Sequence, residues 1–294
     1  MALEASIRAL FQDCRILQTQ VACSIRGPSV MAKFIRVPLM TASELEEHLE
    51  LEMDHYLPSD GSDIDWDYHI PDRRRSAAPG TMMAVLLVAA KKEAVRQRVK
   101  LLQRTGLEPT VVDVDNLALV NMYTYNYSDN EPKGGLLINV SPGGVGMIVM
   151  HNGHPAFMRE IAVGGEGYRD LMEETWRNHL QGAPTDVVSP GSDSQERLLS
   201  EVYRDVSKEV KKTIEYCCDM VPQDGIQKLF LCGGYAGLPR LASAIGGEVN
   251  LPLEFIDPFK KIEVPPDLPG RESLQSVGLL AGVAMGLAIR GMDG

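Results

Sequence analysis

The sequence lacks most of what would mark a secreted, membrane-spanning or nucleic-acid-coating protein. Its five cysteines are odd in number and irregular in spacing, which gives no disulfide framework and fits a reducing cytoplasm. It has no excess of positive charge: Lys+Arg 29 against Asp+Glu 40 leaves −11. That balance opposes nonspecific attraction to nucleic acid or anionic lipid, while leaving room for a local basic patch. No signal-peptide pattern opens it, because Glu4 and Arg8 interrupt the first apolar stretch. The longest uncharged apolar run, residues 274–289, is shorter than the roughly 20 residues of a spanning helix. Gly278, Gly282 and Gly286 recur along it. Such a stripe can pair membrane helices, but here it reads as a buried helix whose glycines let it lie close to a sheet. The G-x-S-x-G, Walker A and dinucleotide fingerprints are also missing.

What is present is an ordinary globular composition, 44% hydrophobic and 23% charged, long enough for one large or two medium domains. Strand and helix signals alternate. A helix is predicted over 2–14 and strands over 21–25 and 30–37. Thr41-Ala42-Ser43-Glu44 is a capping box, and Leu45, Leu49 and Met53 keep helical spacing after it, up to Pro58. An exposed strand over 63–70 leads to a loop carrying Arg73, Arg74 and Arg75. The apolar run 82–90 reads as a central strand, and 91–105 as an amphipathic helix closed by Gly106. A short strand over 111–114 precedes a helix from Asp115.

The second half opens with three strands, 136–141, 145–151 and 155–163, joined by Pro142-Gly143-Gly144 and Asn152-Gly153. Gly164-Gly165 leads into a helix through Trp176, and 182–195 reads as a loop. A long helix over 197–221 places Val202, Val206 and Val210 on one face. Strand 226–232 ends in Gly233-Gly234-Tyr235-Ala236-Gly237 and opens another helix. A last strand over 253–256 precedes the glycine-striped helix.

Few of these residues form chemical constellations. His48, Glu52 and His55 share a helix face, a spacing that suits zinc, but the H-E-x-x-H order is absent and a solvated face is expected. Cys217-Cys218 lies mid-helix with no base nearby and reads as structural. Two glycine turns carry more. In Asn139-Val140-Ser141-Pro142-Gly143-Gly144 exposed backbone N–H groups can face phosphate oxygens. The Gly233-Gly234-Tyr235 turn sits at the carboxyl end of a buried strand, where α/β sheets place ligands. Its flat surface suits a purine and its ribose. Each turn has an ordinary reading too, as a hairpin and as a tight strand-to-helix connection.

The order of these parts resembles the actin-like ATPase superfamily, and the wording of the motifs resembles its PilM family of type IV pilus assembly proteins. The resemblance runs through Val37 to Pro58, Val85 to Lys91, Gly106 to Asn116, Gly134 to Gly165, Leu229 to Leu241, and Asp257-Pro258-Phe259. The cell-division protein FtsA shares the architecture but not these motifs. The resemblance implies an α/β, two-lobed actin-like (ribonuclease H-like) fold with an inserted 1C subdomain. Residues 1–27 are then part of 1A, 28–108 are 1C, and 109–133 continue 1A. Residues 134–272 are 2A and 2B, and 273–294 a helix packing back on 1A. The first lobe reads as truncated at its start, which leaves the edge of strand 21–25 open and predicts self-association or cover by the N-terminal helix.

The resemblance also implies a cytoplasmic protein at the inner-membrane face. It grips the cytoplasmic N-terminal tail of a PilN-like inner-membrane protein and joins other platform or motor proteins as a scaffold, meeting the membrane only indirectly and nucleic acid not at all. Family members bind ATP. The positions that correspond here are Asn139, Ser141, Gly143, Gly144, Glu209, Lys212, Gly233, Gly234 and Tyr235. The family's acidic phosphate-loop position holds Asn139, and its threonine position holds Val145. Metal-assisted hydrolysis needs charge near the metal and the γ-phosphate, so the expected site is degenerate: ATP, with magnesium if bound, and weak or absent hydrolysis. No catalytic or metal-ligating residue is assigned. A nucleotide-switched ATPase forming rings or filaments is the alternative.

Overall fold

The computed structural model describes residues 2–57, 63–71, 81–127, 134–162, 170, 173, 177, 193–217, 225–238, 240–265 and 274–292. The expected loop at Arg73–Arg75, the Gly164-Gly165 turn, Cys218 and most of the 182–195 loop lie outside them. The chain divides into two compact units, Met1–Leu117 with Leu287–Gly294, and Ala118–Gly286.

The first unit begins with α1 (Ala2–Asp13) and β1 (Gln20–Ile25). It continues with β2 (Val30–Pro38), α2 (Ala42–Tyr56), β3 (Ile64–His69), β4 (Met82–Lys91) and α3 (Lys92–Arg104). β4 is central, as its long apolar run predicts, but its partners are antiparallel, in the order β2-β4-β3. Strand alternation turns Ile35, Val37, Val85 and Leu87 to one face, where Leu45, Leu49 and Met53 of α2 cover them. Thr41 starts α2 with both halves of the capping box made: its hydroxyl accepts from the Glu44 N–H, and the Glu44 carboxylate accepts from the Thr41 N–H at 2.8 Å. That bond holds the Glu44 carboxyl below the usual carboxylate range.

β5 spans Glu108–Val114, three residues earlier than expected, because it runs through Pro109. The missing N–H is tolerated beside a register shift: Val21 faces Pro109, while Ala22 faces Val111. β1 and β5 form a parallel two-stranded sheet. Among the described residues no further strand pairs with β1.

The chain passes into the second unit within α4 (Asp115–Tyr127). There β6 (Gly134–Ser141), β7 (Gly144–His151), β8 (His154–Ile161), β9 (Lys228–Cys232) and β10 (Leu253–Phe255) form one sheet, ordered β10-β9-β6-β7-β8. The long helix α5 (Asp193–Cys217) starts four residues before its expected position and buries Val202, Val206 and Val210 against this sheet, with Leu241 and Ile245 of α6 (Leu241–Val249) in the same core. Asn126, 2% exposed, donates to the Pro258 carbonyl and accepts from the Lys261 N–H, both at 3.0 Å.

The last helix, α7, spans Leu274–Met292. Gly282 and Gly286 pack against a helix rather than the expected sheet, and Gly278 faces Pro258. A Cβ at Gly286 would overlap the Ala118 carbonyl oxygen of α4, and one at Gly282 would sit 3.0 Å from Leu119. Spacing in sequence specifies a close approach but not its partner. Among the described residues, no helix is long and apolar enough to cross a membrane.

Candidate functional site

The two glycine turns meet at one end of the five-stranded sheet. β6 and β9 are parallel neighbours, with Asn139 opposite Cys232, so the residues that follow each strand emerge side by side. Glycine is required on both sides. Gly144 has φ +137°, and a Cβ there would overlap the Ile161 carbonyl; Gly233 has φ +98°, and a Cβ would overlap Asn139 Oδ1 and the Val140 carbonyl. The Tyr235 N–H donates to the Val140 carbonyl at 3.0 Å and clamps the second turn onto β6.

Asn139, Ser141, Gly143, Gly144, Gly233, Gly234 and Tyr235 are thus brought together, in different states. Asn139 is buried and Gly143 exposed. The Ser141 hydroxyl donates to the Gly144 carbonyl at 3.2 Å. Tyr235 is 2% exposed, and its ring belongs to the core. Burial pushes the adjacent Cys232 thiol up to about 12, far from a reactive thiolate.

Sequence reasoning missed what lies on the second turn. The Gly233 N–H donates to the Leu279 carbonyl of α7 at 3.0 Å. Leu280 Cδ2 lies 3.2 Å from the position of a Cβ on Gly234. The glycine surface expected to receive a purine carries this helix. Nothing in the local sequence of either segment signals the pairing, since more than forty residues separate them.

Glu209 and Lys212, three apart on α5, form an ion pair at 2.6 Å. The other carboxylate oxygen of Glu209 accepts from Arg159 of β8, a residue the sequence did not single out. The Lys212 hydrogen bond, followed by that of Arg159, holds the Glu209 carboxyl below its ordinary range. Both oxygens already have cationic donors. On α2, His48 Nε2 lies 2.9 Å from the Tyr56 hydroxyl. No group of three or more metal-ligating side chains gathers among the described residues.

The sequence profile of the type IV pilus assembly protein PilM matches residues 1–292. The chain belongs to the PilM family. Among solved structures, a chain of a PilM-PilN type IV pilus biogenesis complex superposes with a TM-score of 0.82 at 23% identity. The match covers 100% of this chain and 85% of that one. Lower similarity reaches MreB5 of Spiroplasma citri bound to ADP, with a TM-score of 0.47, 11% identity, and 99% and 75% of the two chains covered. The ethanolamine utilization protein EutJ from Carboxydothermus hydrogenoformans gives 0.42, 14%, 84% and 72%. This PilM-family chain has an α/β fold shared with that chain of the PilM-PilN complex.

Proposed function

We propose that this PilM-family chain is a cytoplasmic scaffold of a type IV pilus assembly platform that holds the tail of a PilN-like inner-membrane protein and has a degenerate nucleotide site. The observation that carries the scaffold reading is the Gly233-Gly234 turn with α7 seated on it: Leu279 takes its N–H and Leu280 its open face. The phosphate-loop side supports the same reading. Magnesium is held through carboxylates and phosphates, and the β6–β7 hairpin offers a neutral amide at Asn139 and a hydroxyl bonded to Gly144. These residues do not fit a catalytic magnesium ion. A partner is supported by family membership and by the PilM-PilN complex that the fold resembles.

Within this proposal residues 28–108, which contain the core between α2 and the β2-β4-β3 sheet, act as the inserted subdomain that recognises the tail. Extended tails dock through main-chain hydrogen bonds and side-chain pockets. Calorimetry with the N-terminal cytoplasmic peptide of a PilN-type protein tests this. The intact chain is expected to bind, and binding that survives removal of 28–108 sinks the assignment.

One observation favours the ATPase alternative: Gly143 is exposed beside the convergent turns, which leaves backbone N–H groups for a phosphate. Titration with ATP and magnesium, followed by phosphate release, separates the two. No release above background is expected, whereas steady turnover abolished by Asn139→Ala would establish an enzyme. Self-association through the outer edge of β1 belongs to the same proposal and is read from mass against concentration.

A further inference from the structure

The cover of the Gly233-Gly234 turn has two parts, and they are anchored to different degrees. Leu279 is built into the fold. Its carbonyl takes the Gly233 N–H at 3.0 Å, and its side chain packs against the core of the five-stranded sheet. The helix that carries it is pinned further along. A Cβ on Gly282 would come within 3.0 Å of Leu119, and one on Gly286 would overlap the Ala118 carbonyl. Turn and helix therefore form one close-packed piece.

Leu280 is held less firmly. It is 43% exposed, and the far end of its side chain, Cδ2, is the part that reaches the open side of Gly234. Burial of apolar surface holds a side chain in place, and a leucine this open gives up little of it by turning to another rotamer. Beside the turn, the β6–β7 hairpin leaves Gly143 exposed, where main-chain N–H groups can meet phosphate oxygens without a metal.

We propose that the nucleotide surface is shut by the Leu280 side chain alone, a gate that opens to a purine nucleotide bound without metal. The proposal rests on the reading of the Gly233-Gly234 turn as a nucleotide site. A flat ring laid on Gly234 and the leucine side chain exclude each other. A ligand must displace Leu280, whereas a smaller residue there leaves the surface open. The bond from Gly233 to Leu279 stays made in both states, because it belongs to the main chain of a pinned helix. The site is thus closed by one side chain rather than lost.

Calorimetry of the full chain with ADP, in the absence of magnesium, tests this. Leu280→Ala should bind roughly tenfold or more tightly than the unaltered chain, the scale on which a few methylene groups in a pocket decide affinity. Leu280→Met, which conserves volume, should bind as the unaltered chain does. Amide hydrogen exchange gives a second readout: Gly233 should stay protected when ADP binds to Leu280→Ala. Equal affinities for the alanine variant and the unaltered chain overturn the proposal, as does binding by neither. Weaker binding by the alanine variant overturns it too, since Leu280 would then be part of the floor of the site. Exchange at Gly233 that quickens with ADP would assign the gate to the whole of α7. A melting curve lowered as by loss of a buried leucine would contradict the loose anchoring of this side chain. The scaffold reading fails separately, through steady phosphate release from ATP by the unaltered chain.

Discussion

Gly286 and Gly246 separate two roles of glycine that look alike in sequence. At Gly286 a Cβ would overlap a backbone carbonyl of α4, whereas Gly246 in α6 has nothing within 4 Å. Overpacking against a backbone that cannot yield costs about 3 kcal/mol or more, so Gly286→Ala should lower unfolding free energy by about that amount. Gly246→Ala should raise it by about 0.5–1 kcal/mol, by stiffening the unfolded chain. Denaturant titration of both variants checks the pair, and equal effects would contradict it.

A second prediction concerns charge. Burial holds the Asp113 carboxyl above its ordinary range, only partly offset by the Val114 N–H and by Arg290. The folded chain therefore binds this proton more tightly than the unfolded one. The stability it contributes is full below the ordinary carboxylate range and is lost as pH rises through the raised value. Asp113→Asn should raise the melting temperature at neutral pH, with the gain shrinking as pH falls toward about 4; no gain at neutral pH would refute this. The glycine spacing in α7 was legible, but the bond from Arg159 to Glu209, made across fifty residues, was not. Local sequence shows what a side chain can offer and leaves open what the fold brings to it.

Elements were legible where a local rule and the tertiary environment agree. The start of α2 is the best case: Thr41 and Glu44 make both cap bonds, and Leu45 and Leu49 are fully buried behind them. Thr41→Ala should cost about 1 kcal/mol, and Leu49→Ala about 2–5 kcal/mol by leaving a cavity. Thermal melts that rank Thr41→Ala as the more damaging would reverse this account. β5 is the opposite case. Pro109 argues for a strand that begins after it, yet pairing with β1 extends across it through a register shift. That ladder cannot be inferred without knowing which strand lies alongside. The same limit applies to α7, whose partner, a helix, lies more than 150 residues away in sequence.

At the scale of the molecule, the three hairpin-joined strands of the second unit followed from turn signals, while the place of β9 and β10 beside β6 and the cover of the Gly233-Gly234 turn did not. The division into units has a consequence for the order of events during synthesis. The second unit is one continuous stretch, Ala118–Gly286, and it leaves the ribosome as a complete sentence. The first is interrupted: Gly291 lies against Ala22, and Arg290 acts on Asp113, so β1 waits for residues that are translated after the whole second unit. Domains made as uninterrupted segments fold in order of appearance. Here the first unit is finished after the second, and until then the nascent protein depends on time, dilution or a chaperone to keep β1 from the wrong neighbour.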